Sequence, residues 1–272
     1  METSNLTKRR IQEFLDQDKR FDNRSLLQFR DIKIETGVSK NAEGSARIKM
    51  GNTEVIAGVK IDVTEPYTDR EDEGTLITTC ELLPLSSPKY EVGPPRINAI
   101  EIARIVDRGI RESGFIDFKK LCIKEGEKVW TVFVDVYPIN HDGNLVDAGS
   151  LAVIVALKNT RIPSFDKDDK IDREKLTDPL PLKHTPITIT IGKVQDKMLI
   201  DPTFEEEQVL DTKLCIAVTE EEKVVSMQKI GAGPLTDDEV DKMIDIAVEK
   251  SKELRKLVEN GKENTKSKTK AD

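Results

Sequence analysis

Arg104, Arg108 and Arg111 recur at helical spacing, and of all the side chains in this sequence they are the best placed to grip a phosphate backbone. The opposite face of the same segment is apolar: Ala99, Ile102, Ala103, Val106 and Ile110. At about 1.5 Å of rise per residue, the three guanidiniums fall within roughly two turns. Each planar fork can bind phosphate oxygens bidentately and never loses its charge. Arg96, just ahead of this segment, is a weaker addition to the stripe. A plainer reading stands beside this one. Glu101 can pair with Arg104 or Arg108, and Asp107 with Arg111, as on many solvated helices.

Carboxylates form the second candidate group. Asp201 is followed by Glu205, Glu206 and Glu207, a set that could hold a divalent cation or could simply open a helix or strand in solvent. His141 beside Asp142 has the side chain of a general base. With no nucleophile or partner in view, a loop histidine is the simpler expectation. Cys80, Cys122 and Cys215 are far apart, which argues against a zinc site or a disulfide framework and fits a reducing, cytoplasmic setting.

Charge limits what the stripe can be. Against 43 Lys and Arg stand 51 Asp and Glu, a formal net charge of -8, so the chain cannot coat nucleic acid indiscriminately. Any nucleic-acid contact must concentrate its cations locally. Hydrophobic residues at 37% supply a core for one large domain or two packed smaller ones. Leu151–Leu157 is the longest strongly apolar run and is too short to span a bilayer, and no apolar secretory stretch opens the chain.

The elements that would position these residues follow from periodicity. Leu6, Ile11, Phe14 and Leu15 predict an amphipathic docking helix with Lys8, Arg9 and Arg10 on its other positions. Strands follow around residues 29–34, 46–50 and 55–59, forming a meander. Pro94-Pro95 leads into the arginine helix, for which Asn98 is the expected N-cap, Glu101 its capping-box partner, and Ile97 with Ile102 the staple. Trp130, Val132, Val134 and Val136 alternate in a central strand, and residues 148–157 are apolar on nearly every side, as a buried helix requires. Short strands at 187–191, 198–200, 213–218 and 224–227 precede a last helix capped by Thr236 and Glu239. The expected architecture is α+β: a first half over residues 1–165, a linker at 166–186, a second half at 187–259 and a disordered tail at 260–272. Two β-then-helix halves, with mixed sheets packed against helices, suggest an internal pseudo-repeat.

Several segments in fixed order resemble the RNase PH family of phosphorolytic exoribonucleases. They are Arg20-Phe-Asp-Asn-Arg24, Gly44-Ser-Ala ahead of Gly51-Asn-Thr, Glu81-Leu-Leu-Pro-Leu85, Gly93-Pro-Pro, the helix from Ala99 to Arg108, and Val129-Trp-Thr-Val. The resemblance spans about residues 20–255, departs at Asn23 where the family usually has glycine, and implies an RNase PH-like fold. Within the family the chain looks most like the non-catalytic ring subunit of the archaeal exosome.

Catalytic members carry a Gly-Thr-Arg segment entering a buried helix, which neutralises the attacking phosphate. The matching positions here are Leu145 and Val146, which cannot bind an anion. The family's acidic pair, which serves acid catalysis or Mg²⁺, maps to Asp201 and Glu207. The resemblance therefore implies no catalytic residue, no metal and no cofactor in this chain; phosphate, and any Mg²⁺, would be used by a catalytic RNase PH-like partner. It further implies a trimer of heterodimers with that partner, RNA-binding cap subunits, and single-stranded RNA contacting Arg104 and Arg108. Arg111 and Arg96 extend that contact only by position. Two other readings remain: a self-sufficient metal-dependent nuclease built on Asp201 and the nearby glutamates, and a purely structural ring spacer.

Overall fold

Strict alternation builds the first sheet. In β3 (Thr53–Thr64), Thr53, Val55, Ala57, Val59 and Ile61 are buried while the residues between them are only half-buried. β3 pairs antiparallel with β2 (Gly44–Met50) on one side and with β6 (Lys128–Asn140) on the other. β1 (Ile32–Thr36) forms one edge and β4 (Thr75–Cys80), parallel to β6, the other; the short β5 (Cys122–Lys124) also pairs with β6. The order β1-β2-β3-β6-β4 is thus a mixed sheet. The computed structural model describes residues 4–168 and 170–268, with side chains described as far as residue 259.

The second sheet, β10-β9-β11-β12, is antiparallel throughout rather than mixed. It comprises β9 (Ile187–Val194), β10 (Lys197–Ile200), β11 (Thr212–Val218) and β12 (Val224–Ile230). The helix expected to be apolar on every side is α3 (Leu145–Lys158), and every residue from Leu145 to Leu157 is buried. It packs on β2 and β3 of the first sheet and on β9 of the second, so one continuous apolar core joins the halves. α2 (Ile97–Glu112) lies beside α3 and reaches both β4 and β12. α1 (Asn5–Asp16) is docked through Ile11 and Leu15 on a smaller cluster with Val194, Leu199 and Val209. The one-turn α4 (Phe204–Glu207) follows β10, and α5 (Asp237–Lys268) closes the chain against β9 and β11.

Four expectations need correction. α2 starts earlier than the Asn98 cap: Arg96 is the N-cap, its carbonyl accepts from Ala99 and Ile100, and no side chain caps the helix. Ile97 is 75% exposed, so it staples nothing. Residues 166–186 are not a bare linker, because β8 (Ile171–Pro179) pairs with β7 (Arg161–Phe165) as a hairpin. The tail reading of 260–272 also fails as far as it can be followed: α5 is helical to Lys268, and residues 269–272 lie outside the described residues.

Candidate functional site

The loop entering α3 and the loop entering α4 meet at Gly143. With φ +83°, a Cβ there would come within 2.3 Å of the Pro202 carbonyl oxygen, so only glycine allows the two loops to touch. Asn144 and Asp201, both left-handed at φ 54° and φ 47°, flank this contact. They are held by each other: Asn144 Nδ2 donates to Asp201 Oδ1 at 3.1 Å. Asn23, also left-handed at φ 62°, keeps its turn because asparagine tolerates that region better than other side chains.

Asp201 is fully buried, not solvated as its acidic neighbourhood suggested. Arg30 donates Nη2 to Oδ1 at 2.6 Å and Nε to Oδ2 at 2.9 Å, and Arg24 donates Nη1 to Oδ2 at 3.1 Å. Glu206 is likewise buried and takes a two-pronged grip from Arg20. Arg20 also donates to the carbonyls of Ile200 and Asp201, while Arg30 reaches that of Asp142. Both oxygens of Asp201 are therefore engaged by guanidiniums, which leaves no lone pair directed at a metal.

Glu207 stands where an anion would approach the N-terminus of α3. Its Oε1 accepts from the Asn144 amide at 3.2 Å and from Lys213 Nζ at 3.2 Å, and Oε2 lies 3.7 Å from His141 Nε2. Burial pushes its pKa up, but His141, Lys213 and the Asn144 amide outweigh burial and hold the carboxyl at about 2. The Asn144 amide, Lys213 and His141 are thus turned toward the protein's own carboxylate at the entry of α3. Leu145 and Val146, 6% and 5% exposed, turn into the apolar core and offer nothing to an anion. Asp147 points inward too, accepting from Thr190 N at 3.0 Å, Thr190 Oγ1 at 2.6 Å and Asn144 Nδ2 at 3.0 Å. Burial raises its pKa to about 6 despite those hydrogen bonds.

His141 is not an isolated loop histidine. Its Nδ1 lies 2.7 Å from Tyr90 Oη, its ring stacks on Tyr90, and it meets the edge of Phe204. Burial pushes the Tyr90 phenol up, and on the other side of the imidazole Nε2 faces Glu207. The three line a cleft of about 550 Å³ with Lys89, whose ammonium sits 4.4 Å over the Phe204 ring.

The arginines of α2 separate into two kinds. Arg104 and Arg108 are exposed, and among the described residues neither makes an ion pair or side-chain hydrogen bond; the expected pairing with Glu101 does not form. Both line two grooves, one toward Thr78, Thr79 and Cys80, the other toward Ser226 and Gln228. Arg111 instead binds Asp107 at 3.0 Å and the Leu76 carbonyl, and lies over Phe118. Arg96 is exposed and paired with Glu91. Sequence reasoning passed over Arg30, Tyr90 and Lys213. Lys213 carried a usable signal, since a lysine inside an otherwise apolar strand implies a buried counter-ion.

The two-half α+β architecture is that of the 3′ exoribonuclease family of the RNase PH type. The family's domain 1 model matches residues 28–163 and its domain 2 model residues 184–250, and the chain belongs to this family. It is 47% identical to the exosome complex component Rrp42 of Methanosarcina mazei over 258 residues, 94% of either chain. A chain of the Archaeoglobus fulgidus exosome with RNA bound to the active site superposes with TM-score 0.88 at 42% identity, covering 93% of this chain and 98% of that one. A chain of an archaeal exosome core gives 0.83 at 39% identity, covering 95% and 97%. Among the described residues, no helix is long and apolar enough to cross a membrane.

Proposed function

We propose that this chain is a non-catalytic subunit of a 3′-to-5′ RNA-degrading exosome ring. Arg104 and Arg108 hold the RNA backbone there and help structure the active site of a catalytic RNase PH-like partner. The single observation that carries the reading is Glu207 seated on the Asn144 amide, Lys213 and His141, because an attacking phosphate has no cationic cradle left. The metal-dependent nuclease reading loses its support with Asp201, whose carboxylate is clamped by Arg24 and Arg30.

The relatives named as exosome components, and the likeness to an exosome chain solved with RNA, support placement in such a ring. Assembly as a trimer of heterodimers, RNA-binding cap subunits and a cytoplasmic setting belong to the same proposal. Phosphate, and any Mg²⁺, act in the partner. Arg111 and Arg96 enter this reading as weaker RNA contacts, since each already has an acidic neighbour.

Co-expression with a catalytic partner tests it. Native mass measurement should give three copies of each chain, and the ring should release nucleoside diphosphates from RNA only with phosphate present. Arg104→Glu with Arg108→Glu should leave the ring's mass unchanged and slow degradation. Degradation at an unchanged rate would favour the spacer reading instead.

A further inference from the structure

The cationic side of α1 is a strongly charged feature that the reading above leaves unused. Lys8 and Arg9 lie with Asn5 and Gln12 along a groove of about 450 Å³, walled opposite by Gln208, Val209, Leu210 and Asp211. Among the described residues, neither Lys8 nor Arg9 has an ion pair or a side-chain hydrogen bond. Asp211 is the acid in this lining, and its Oδ2 already accepts from the Gln195 amide at 2.7 Å. Two cations and three carboxamides against one engaged carboxylate favour an anion, in a chain whose net charge is -8. The helix is held firmly enough to present them, through Ile11 and Leu15 in the small core.

Position supplies the second argument. Gln208 lines both this groove and the cleft of Lys89, Tyr90, His141 and Phe204. Pro95 and Ala99 in turn line both that cleft and the groove of Arg104 and Arg108. Three depressions with shared walls thus form a track from α2 to α1. Its middle carries Glu81, Glu91 and Glu207 against Lys89 and Arg96, together with aromatic rings, which suits a base better than a phosphate. Cations stand at both ends. Phosphates at the ends and a base between them is how single-stranded nucleic acid is held.

We propose that the groove between α1 and residues 208–211 binds the phosphodiester backbone of single-stranded RNA, with Lys8 and Arg9 as the contacting cations. This rests on the reading that Arg104 and Arg108 contact the same RNA. An acidic protein segment could use the same cations, but the shared walls with the arginine groove favour RNA.

The test measures affinity of the full chain for a single-stranded RNA of roughly 16 nucleotides, long enough to cover the track, against salt. Lys8→Gln with Arg9→Gln should weaken binding on the order of tenfold at low salt and flatten the log–log salt slope by about 1.4, two contacts at about 0.7 each. The charge-preserving pair Lys8→Arg with Arg9→Lys should restore both, which excludes loss of folding as the cause. If Lys8→Gln with Arg9→Gln changes nothing while Arg104→Gln with Arg108→Gln weakens binding, the groove proposal is overturned and the function stands. If the arginine pair changes nothing while the α1 pair weakens binding, the arginine role fails and the groove stands. Unchanged RNA affinity with lost association to other exosome subunits would assign the groove to a protein and overturn the proposal.

Discussion

Arg30 and Asp201 face each other through two parallel hydrogen bonds, at 2.6 and 2.9 Å, with a third from the Arg30 backbone amide at 2.8 Å. The carboxylate is fully buried, so the pair acts as a rivet between the N-terminal segment and the loop entering α4. Asp201→Ala would remove the buried carboxylate that Arg24 and Arg30 share, leaving them only the more exposed Asp22 and Asp142, and should cost on the order of 3–5 kcal/mol of stability. Urea unfolding checks this. RNA affinity at a temperature where the variant is folded should not change, because neither arginine of the α2 stripe touches the rivet.

Glu207 makes the fold acid-sensitive in a defined window. Its pKa is lowered from 4.5 to about 2, so its contribution is fully present above pH 4.5 and disappears as pH falls toward 2. Glu207→Gln removes that part of the acid response. Unfolding midpoints measured between pH 6 and pH 3 should fall less steeply for the variant than for the natural chain.

Asp147 has the opposite sign. Its pKa is raised from 3.8 to about 6, so the stability tied to its proton is present below 3.8 and lost as pH rises through about 6. Asp147→Asn should therefore be relatively more stable at pH 8 than at pH 4, by on the order of 1–3 kcal/mol. The check is the difference in urea midpoint between variant and natural chain at those two pH values.

Arg104→Gln with Arg108→Gln should weaken RNA binding uniformly across sequences and reduce the salt slope by about 1.4. Arg111→Ala is the matched control. Its guanidinium already serves Asp107 and the Leu76 carbonyl, so the change should lower the melting temperature and flatten the salt slope much less than the double change does.

Regular elements were readable where one physical demand ruled a stretch. Trp130, Val132, Val134 and Val136 had to alternate in β6, and α3 had to be buried because it has no polar side. The entry of α2 was misread because Pro94-Pro95 already sets the backbone, and the Arg96 carbonyl starts the helix with no side-chain cap. β7 and β8 escaped notice because β8 is largely exposed on both faces and so leaves no alternation.

Of the candidate site, the arginine stripe could be located from residue type and spacing, whereas Leu145 and Val146 stood out only through the resemblance to the RNase PH family. The clamp could be located by neither. Arg20 and Glu206 are 186 residues apart, and only the folded chain shows that the acids are neutralised internally.

The most direct measurement incubates the purified chain alone with single-stranded RNA and inorganic phosphate, and assays nucleoside diphosphate. With Glu207 on the donors that phosphate would need, the chain should bind the RNA and release none. Phosphate-dependent release of nucleoside diphosphates by the chain alone, abolished by Glu207→Ala, would contradict the account.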